Sequence, residues 1–258
     1  MQLVSCQGGV LRTVSVRGLP GATDARPGRS FVTGLAALDA LPPGGAFVRG
    51  AVHELLFAPG HPPPRTLALV LARAALASAE GSADGGAGAV VWSDPRGELY
   101  PPALAAGGLP LDRVFLLRPR SEADEAWAVA ECLRSSGVAA VVADPPRLTR
   151  VGARRLQLAA EAGGGVGLLL RSTRSAQHYA AATRWLVAPA PGEAAVQRWR
   201  VELAHGHGGR VGAAVFLEVC RDASDASDTS TPAAPHYVRA VDAVADRPAP
   251  PRVARASA

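Results

Sequence analysis

The chain has 258 residues with 22 acidic and 27 basic side chains, and every basic residue is arginine. Lysine is absent, so Schiff-base chemistry, a lysine general base and a phosphate-loop lysine are all excluded. Isoleucine and asparagine are missing too, which fits a GC-rich coding sequence; at 48% hydrophobic and 19% charged residues the chain can still bury a substantial core.

Cys6, Cys132 and Cys220 lie far apart, which argues for reduced thiols and against a zinc ribbon. The N-terminus has no basic start leading into a long apolar run, and the apolar segment Leu67 to Ala79 is interrupted by Arg73. Neither a signal peptide nor a membrane span is expected, and the predicted location is the cytoplasm. The formal charge of +5 is uneven: residues 1–30 carry +3, residues 221–258 carry zero and residues 31–220 only +2. A near-neutral centre is weak support for phosphate-backbone binding as the main activity.

In chain order, residues 1–30 are rich in Gly, Arg and Pro and read as an N-terminal arm. Val52 to Phe57 reads as a strand, and Thr66 to Ala79 as an alanine- and leucine-rich helix. A GSADGGAG loop leads to a second strand, Ala89 to Asp94, and Val114 to Leu117 forms a third. Ser121 opens a helix, with Asp124 three residues on as in a capping box, and Trp127, Ala130 and Leu133 are expected on one face. Val138 to Asp144 is a fourth strand, Arg150 to Ala162 a helix, and Val166 to Leu170 a fifth strand. Continuous apolar strands separated by helices predict an α/β fold, with a mostly parallel sheet covered on both faces. Trp199 to Leu203 and Val211 to Val219 flank a His-Gly-His-Gly-Gly-Arg turn and predict a C-terminal antiparallel hairpin. Residues 221–258 read as a disordered tail with one short ordered stretch around Tyr237 to Val244.

Thr33-Gly34-Leu35-Ala36-Ala37-Leu38-Asp39, then Gly44-Gly45 and Arg49-Gly50, resembles the opening of RecA-like recombinases. More narrowly, GLAALDALPPGG, RGAVHELLF, VVWSDPRGELYPPALAAGGL, RPRSEADEAWAVAECLRSSGVAAVVAD, RRLQLAAEAGGGVGLLLR and QRWRVELAHGHGGR resemble, in order and spacing, the ImuA family. These phrases cover roughly residues 31–218. The resemblance implies a RecA-like accessory protein of damage-induced translesion synthesis and mutagenesis, expressed under the SOS response. Its partners would be an ImuB-like inactive relative of Y-family polymerases and an error-prone replicative-type polymerase, with RecA as a further candidate and DNA contacted mainly indirectly.

The resemblance also locates a nucleotide site. A phosphate loop uses glycines to aim backbone N–H groups at phosphate, then Lys and Ser/Thr. Here the equivalent span is Pro59-Gly60-His61-Pro62-Pro63-Pro64-Arg65-Thr66. Proline stands at both glycine positions and Arg65 at the lysine position; Gly60 and Thr66 remain. Proline has no N–H, and a planar guanidinium does not replace an ammonium. Asp144 matches the acidic end of the Walker B strand, and Asp94 lies near the family's water-activating glutamate. Their plainer role is to cap loops at strand ends. The loop is therefore expected to be degenerate, with no catalysis and no cofactor; ATP with magnesium in an unorthodox site is the alternative.

Arg147, Arg150, Arg154 and Arg155 cluster after the fourth strand and could contact DNA or an acidic partner, or form a solvated helix face. His205 and His207 form an HxH pair in a glycine-rich turn without a third ligand nearby, and no metal is expected. Ser93-Asp94 and His53-Glu54 lack a nucleophile-elbow context. Trp185 and Trp199 read as packing residues.

Overall fold

The computed structural model describes residues 2–7, 10–14, 30–80, 88–192, 196–220 and 237–241. The strands are β1 (Gln2–Gln7), β2 (Val10–Val14), β3 (Ser30–Phe31), β4 (Phe47–Val48), β5 (Ala51–Phe57), β6 (Ala89–Ser93), β7 (Val114–Arg118), β8 (Val138–Ala143), β9 (Val166–Ser172), β10 (Thr183–Pro189), β11 (Gln197–Gly206), β12 (Ala214–Cys220) and β13 (Tyr237–Val241). The helices are α1 (Ala36–Asp39), α2 (Arg65–Glu80), α3 (Pro101–Ala106), α4 (Glu122–Arg134) and α5 (Arg150–Gly163). Among the described residues no helix is long and apolar enough to cross a membrane.

Eleven strands form one sheet in the order β13-β12-β11-β10-β5-β9-β8-β6-β7-β1-β2. Its centre, β10 through β7, is parallel throughout. β11, β12 and β13 extend one edge antiparallel, giving the expected α/β sheet with its C-terminal hairpin. The other edge is built from β1 and β2, an antiparallel pair laid against β7. These two strands come from the segment read as an arm: two short runs rich in Val and Leu with Gly8-Gly9 between them, too brief for a periodicity signal. The 15–29 stretch of the arm, the GSADGGA part of the loop after α2, and residues 221–236 and 242–258 of the tail lie outside the described residues.

Helices cover both faces because the central strands are apolar on both sides. α2 packs on one face with Leu55, Val90, Leu116, Val142 and Leu168. α4 and α5 pack on the other with Val52, Val91, Leu117, Val141 and Leu169. Ser121 caps α4 by accepting the Asp124 N–H at 3.1 Å, and Thr149 caps α5 by accepting the Gly152 N–H at 3.0 Å. Ala130 and Leu133 are buried as expected, but Trp127 is 47% exposed. Positions 127 and 133 are six residues apart, about 120° around the helix, so only the later two face the core. The last turns of α4 and α5 touch backbone to backbone: a Cβ on Gly163 would lie 2.0 Å from the Leu133 carbonyl oxygen.

Two buried polar groups hold β5 against β10. On the α2 side, the His53 ring bonds the Thr183 hydroxyl at 2.7 Å and the Val48 carbonyl at 2.9 Å, while Trp185 Nε1 donates to the same hydroxyl. Phe47 stacks between Phe31 and Trp185, fixing the 30–48 segment on this cluster. On the opposite side, Glu54 accepts from Arg171 and from Arg184, each at 2.8 Å. Arg171 also donates to the Ser175 and His178 carbonyls, and Arg184 to that of Ala176.

Removing Glu54 would strand the fully buried Arg171 guanidinium. Glu54→Ala is expected to lower the unfolding free energy by about 3–5 kcal/mol, read as a lower urea midpoint. Burial pushes His53 down to about 4 from 6.5. The unfolded chain therefore takes up this proton first, and the stability held by neutral His53 is full above pH 6.5 and lost as pH falls towards about 4. A loss of about 3 kcal/mol across that window is expected. His53→Gln should remove this part of the pH dependence, so that the wild-type minus variant difference in unfolding free energy falls between pH 6.5 and about 4.

Candidate functional site

The site implied by the sequence lies at the C-terminal ends of β5, β6 and β8, where ligands bind in open α/β sheets. The turn after β5 is built by proline: four of the eight residues from Pro59 to Thr66 have no N–H. Two others are already engaged, His61 donating to the Ala58 carbonyl and Arg65 to that of Pro63. Gly60 adopts φ +84°, as the turn requires, with open space around it. Arg65 begins α2 and turns to Glu98 at 3.6 Å; Glu98 also accepts from Arg96 Nε at 2.8 Å. The space enclosed by Arg65, Ser93, Asp94, Arg96, Glu98 and Asp144 is about 30 Å³, the volume of one water.

Asp94 and Asp144 come together at the rim of this space but have different surroundings. Asp94 is buried: its Oδ1 accepts the backbone N–H of Glu98 at 2.8 Å and of Leu99 at 3.3 Å, so the side chain shapes the 94–99 turn. Its Oδ2 lies 4.0 Å from Arg118. Asp144 is half-buried, and burial raises its carboxyl pKa while Arg65 and Arg96 pull it back. Glu125, in the first turn of α4, is buried beside them and accepts the Ser93 hydroxyl at 2.5 Å. Burial raises its pKa and the Ser93 bond opposes that; Asp144 and Glu122 raise it further. Chemically this is a cluster of carboxylates and guanidinium groups that is partly satisfied from within: Asp94 Oδ2 is buried without a hydrogen-bond partner. Thr66 opens instead towards two larger cavities, of about 450 and 380 Å³, on either side of Arg65.

Arg147, Arg150, Arg154 and Arg155 do not line this rim and are exposed at the start of α5 and just before it. Arg154 approaches Glu161 at 3.9 Å; the other three have no ion-pair or hydrogen-bond partner among the described residues. The neighbouring helix α4, packed beside α5, carries the exposed Trp127. Among the described residues no group of three His, Cys, Asp or Glu could hold a metal, and His205 meets the Tyr179 ring rather than a ligand set. Trp185 is buried in the core, and Trp199 packs against its edge. His53 and Glu54 hold the sheet together, as described above. The opening Thr-Gly motif also has a structural basis: Asp39 accepts the Thr33 N–H and hydroxyl, both at 2.8 Å, and the Gly34 N–H at 3.1 Å.

No family model matches the chain. Protein ImuA of Caulobacter vibrioides, in strains NA1000 / CB15N and ATCC 19089 / CIP 103742 / CB 15, is 32% identical over 214 residues, spanning 74% of this chain and 84% of the relative. The chain belongs to the ImuA family. Sequence reasoning passed over Glu125. Glu125 had one readable signal, its place in the first turn of a capped helix, but its pairing with Ser93 spans 32 positions.

Because its pKa is raised in the fold, ionised Glu125 costs stability above the carboxylate range, and that cost disappears as pH falls and the group takes up its proton. Glu125→Gln is expected to be more stable than the parent at pH 7. The advantage should shrink as pH falls through the carboxylate range, measured by urea denaturation at a series of pH values.

Proposed function

We propose that this chain is a non-catalytic, RecA-like accessory protein of damage-induced translesion DNA synthesis and mutagenesis, working in the cytoplasm through protein–protein contacts. Its partners in this reading are an ImuB-like inactive relative of Y-family polymerases and an error-prone replicative-type polymerase. The observation carrying the non-catalytic part is the rim beside Arg65. The space there is water-sized, the arginine faces Glu98, and the turn that would cradle phosphate is half proline. Phosphoryl transfer depends on positioning and on charge stabilisation of the phosphates, and these residues offer neither. Membership of the ImuA family supports the accessory role. What the fold still offers is surface: a broad sheet, helices with exposed outer faces, and extensions at both ends of the chain.

Co-expression with the ImuB-like protein is expected to yield a complex that survives size-exclusion chromatography. Two monodisperse proteins that stay apart at micromolar concentration would overturn the reading. Calorimetric titration with magnesium and ATP is expected to show no binding. Tight magnesium-dependent binding that Asp144→Ala abolishes would instead establish a nucleotide-driven protein.

A further inference from the structure

The outer face of α5 is unusual for a surface helix. Its inner residues, Ala153, Leu156, Ala159 and Ala160, are buried against the sheet and α4, so the opposite side faces solvent. That side carries Val151, Arg155 and Leu158 at spacings of four and three, which places them in one stripe. Val151 is 78% exposed and Leu158 46%. α4 runs alongside, its end in backbone contact with that of α5, and contributes Trp127 on its own outer side. Arg147, Arg150 and Arg155 stand around the stripe without partners among the described residues. A solvated helix face has no use for two exposed aliphatic residues and a tryptophan among uncompensated arginines. Tryptophan and arginine together are the side chains that dominate protein interfaces.

We propose that the α4–α5 outer face docks an acidic amphipathic helix of a partner protein. Apolar side chains at i, i+3 or i+4, and i+7 of that helix would lie along Val151, Leu158 and Trp127, with flanking carboxylates meeting Arg147, Arg150 and Arg155. The aliphatic pair decides between protein and nucleic acid. A sugar–phosphate backbone would satisfy the arginines, but it offers Val151 and Leu158 nothing to pack against. The proposal rests on the reading that this chain acts by binding proteins, and it assigns a place on the surface to that activity.

The test is fluorescence anisotropy of a labelled helical peptide with a leucine stripe and glutamates on its flanks, titrated with the full chain. Binding is expected, with affinity falling as salt rises. Val151→Ser with Leu158→Ser, and separately Arg150→Glu with Arg155→Glu, should each weaken it at least about tenfold. All these positions are exposed, and circular dichroism and thermal melting of the variants should match the parent. A peptide that fails to bind, or that binds parent and both double variants alike, overturns the proposal. So does an oligothymidylate strand that binds the parent, displaces the peptide and is lost in the arginine variant alone, which would assign the face to nucleic acid. Co-purification with the ImuB-like protein is a separate readout: a complex that forms equally well with both double variants leaves the protein-binding reading standing and places its interface elsewhere.

Discussion

The connection between β9 and β10 depends on one buried carboxylate. Both strands lie parallel to β5, one on each side, and parallel neighbours are ordinarily linked through a covering helix. Here residues 173–182 make the crossing without one. A loop in that position exposes carbonyl groups to the sheet face, and each needs a donor. Arg171 and Arg184 provide them, bonding the carbonyls of Ser175, Ala176 and His178, and Glu54 from the strand between them holds both guanidinium groups in place. The triad is costly to desolvate, and a well-packed apolar replacement could match its stability. Such a replacement could not bond the loop, so the charged group is tied to this particular connection.

The same economy of charge governs the strand ends where a nucleotide would sit. In a working phosphate site, cations and N–H groups are held open for an absent ligand, and the fold bears the cost of leaving them unpaired. Here several of these groups have local partners, although Asp94 Oδ2 has no hydrogen bond. Arg65 and Arg96 share Glu98, Asp94 binds the turn that carries Glu98, and Ser93 bonds Glu125. GC-rich coding accounts for arginine in place of lysine throughout the chain. It does not account for proline where glycine is needed, since glycine codons are equally GC-rich. The turn is half proline, and Arg65 and Arg96 beside it pair with Glu98.

The parallel centre of the sheet was legible because its apolar runs are short, buried on both faces and separated by helix-like segments. β10 was missed for the converse reason: Thr183, Trp185 and Val187 turn inward while Arg184, Leu186 and Ala188 are only partly covered, so the run reads as mixed. β1 and β2 are two short runs whose place is fixed by β7, more than a hundred residues away. Asp94 and Asp144 were readable as acidic ends of strands, and the structure puts them at one rim. The partners that define their chemistry were not readable, because Glu98 and Glu125 reach the rim through a turn and a helix start whose placement is tertiary. Trp127 belongs to the same class: its exposure follows from how α4 is rotated against the sheet, which a six-residue periodicity cannot fix.

These features share a physical direction. Several charged groups are paired with one another, from Glu54 and its two arginines to Arg198, Glu218 and Arg239 on the C-terminal strands, while Asp94 Oδ2 and the Nε atoms of Arg49, Arg118 and Arg171 are buried without a hydrogen bond. Arginines without partners among the described residues and exposed apolar residues are found on α5, in the turn before it and on the neighbouring α4. An enzyme of this architecture concentrates unsatisfied groups at the carboxyl ends of its strands, because that is where its ligand satisfies them. In this chain Asp94 Oδ2 is one such group at the strand ends, while Arg147, Arg150 and Arg155, at the start of α5 and just before it, are exposed without partners among the described residues. A helical surface is where a protein partner, rather than a nucleotide, can reach them.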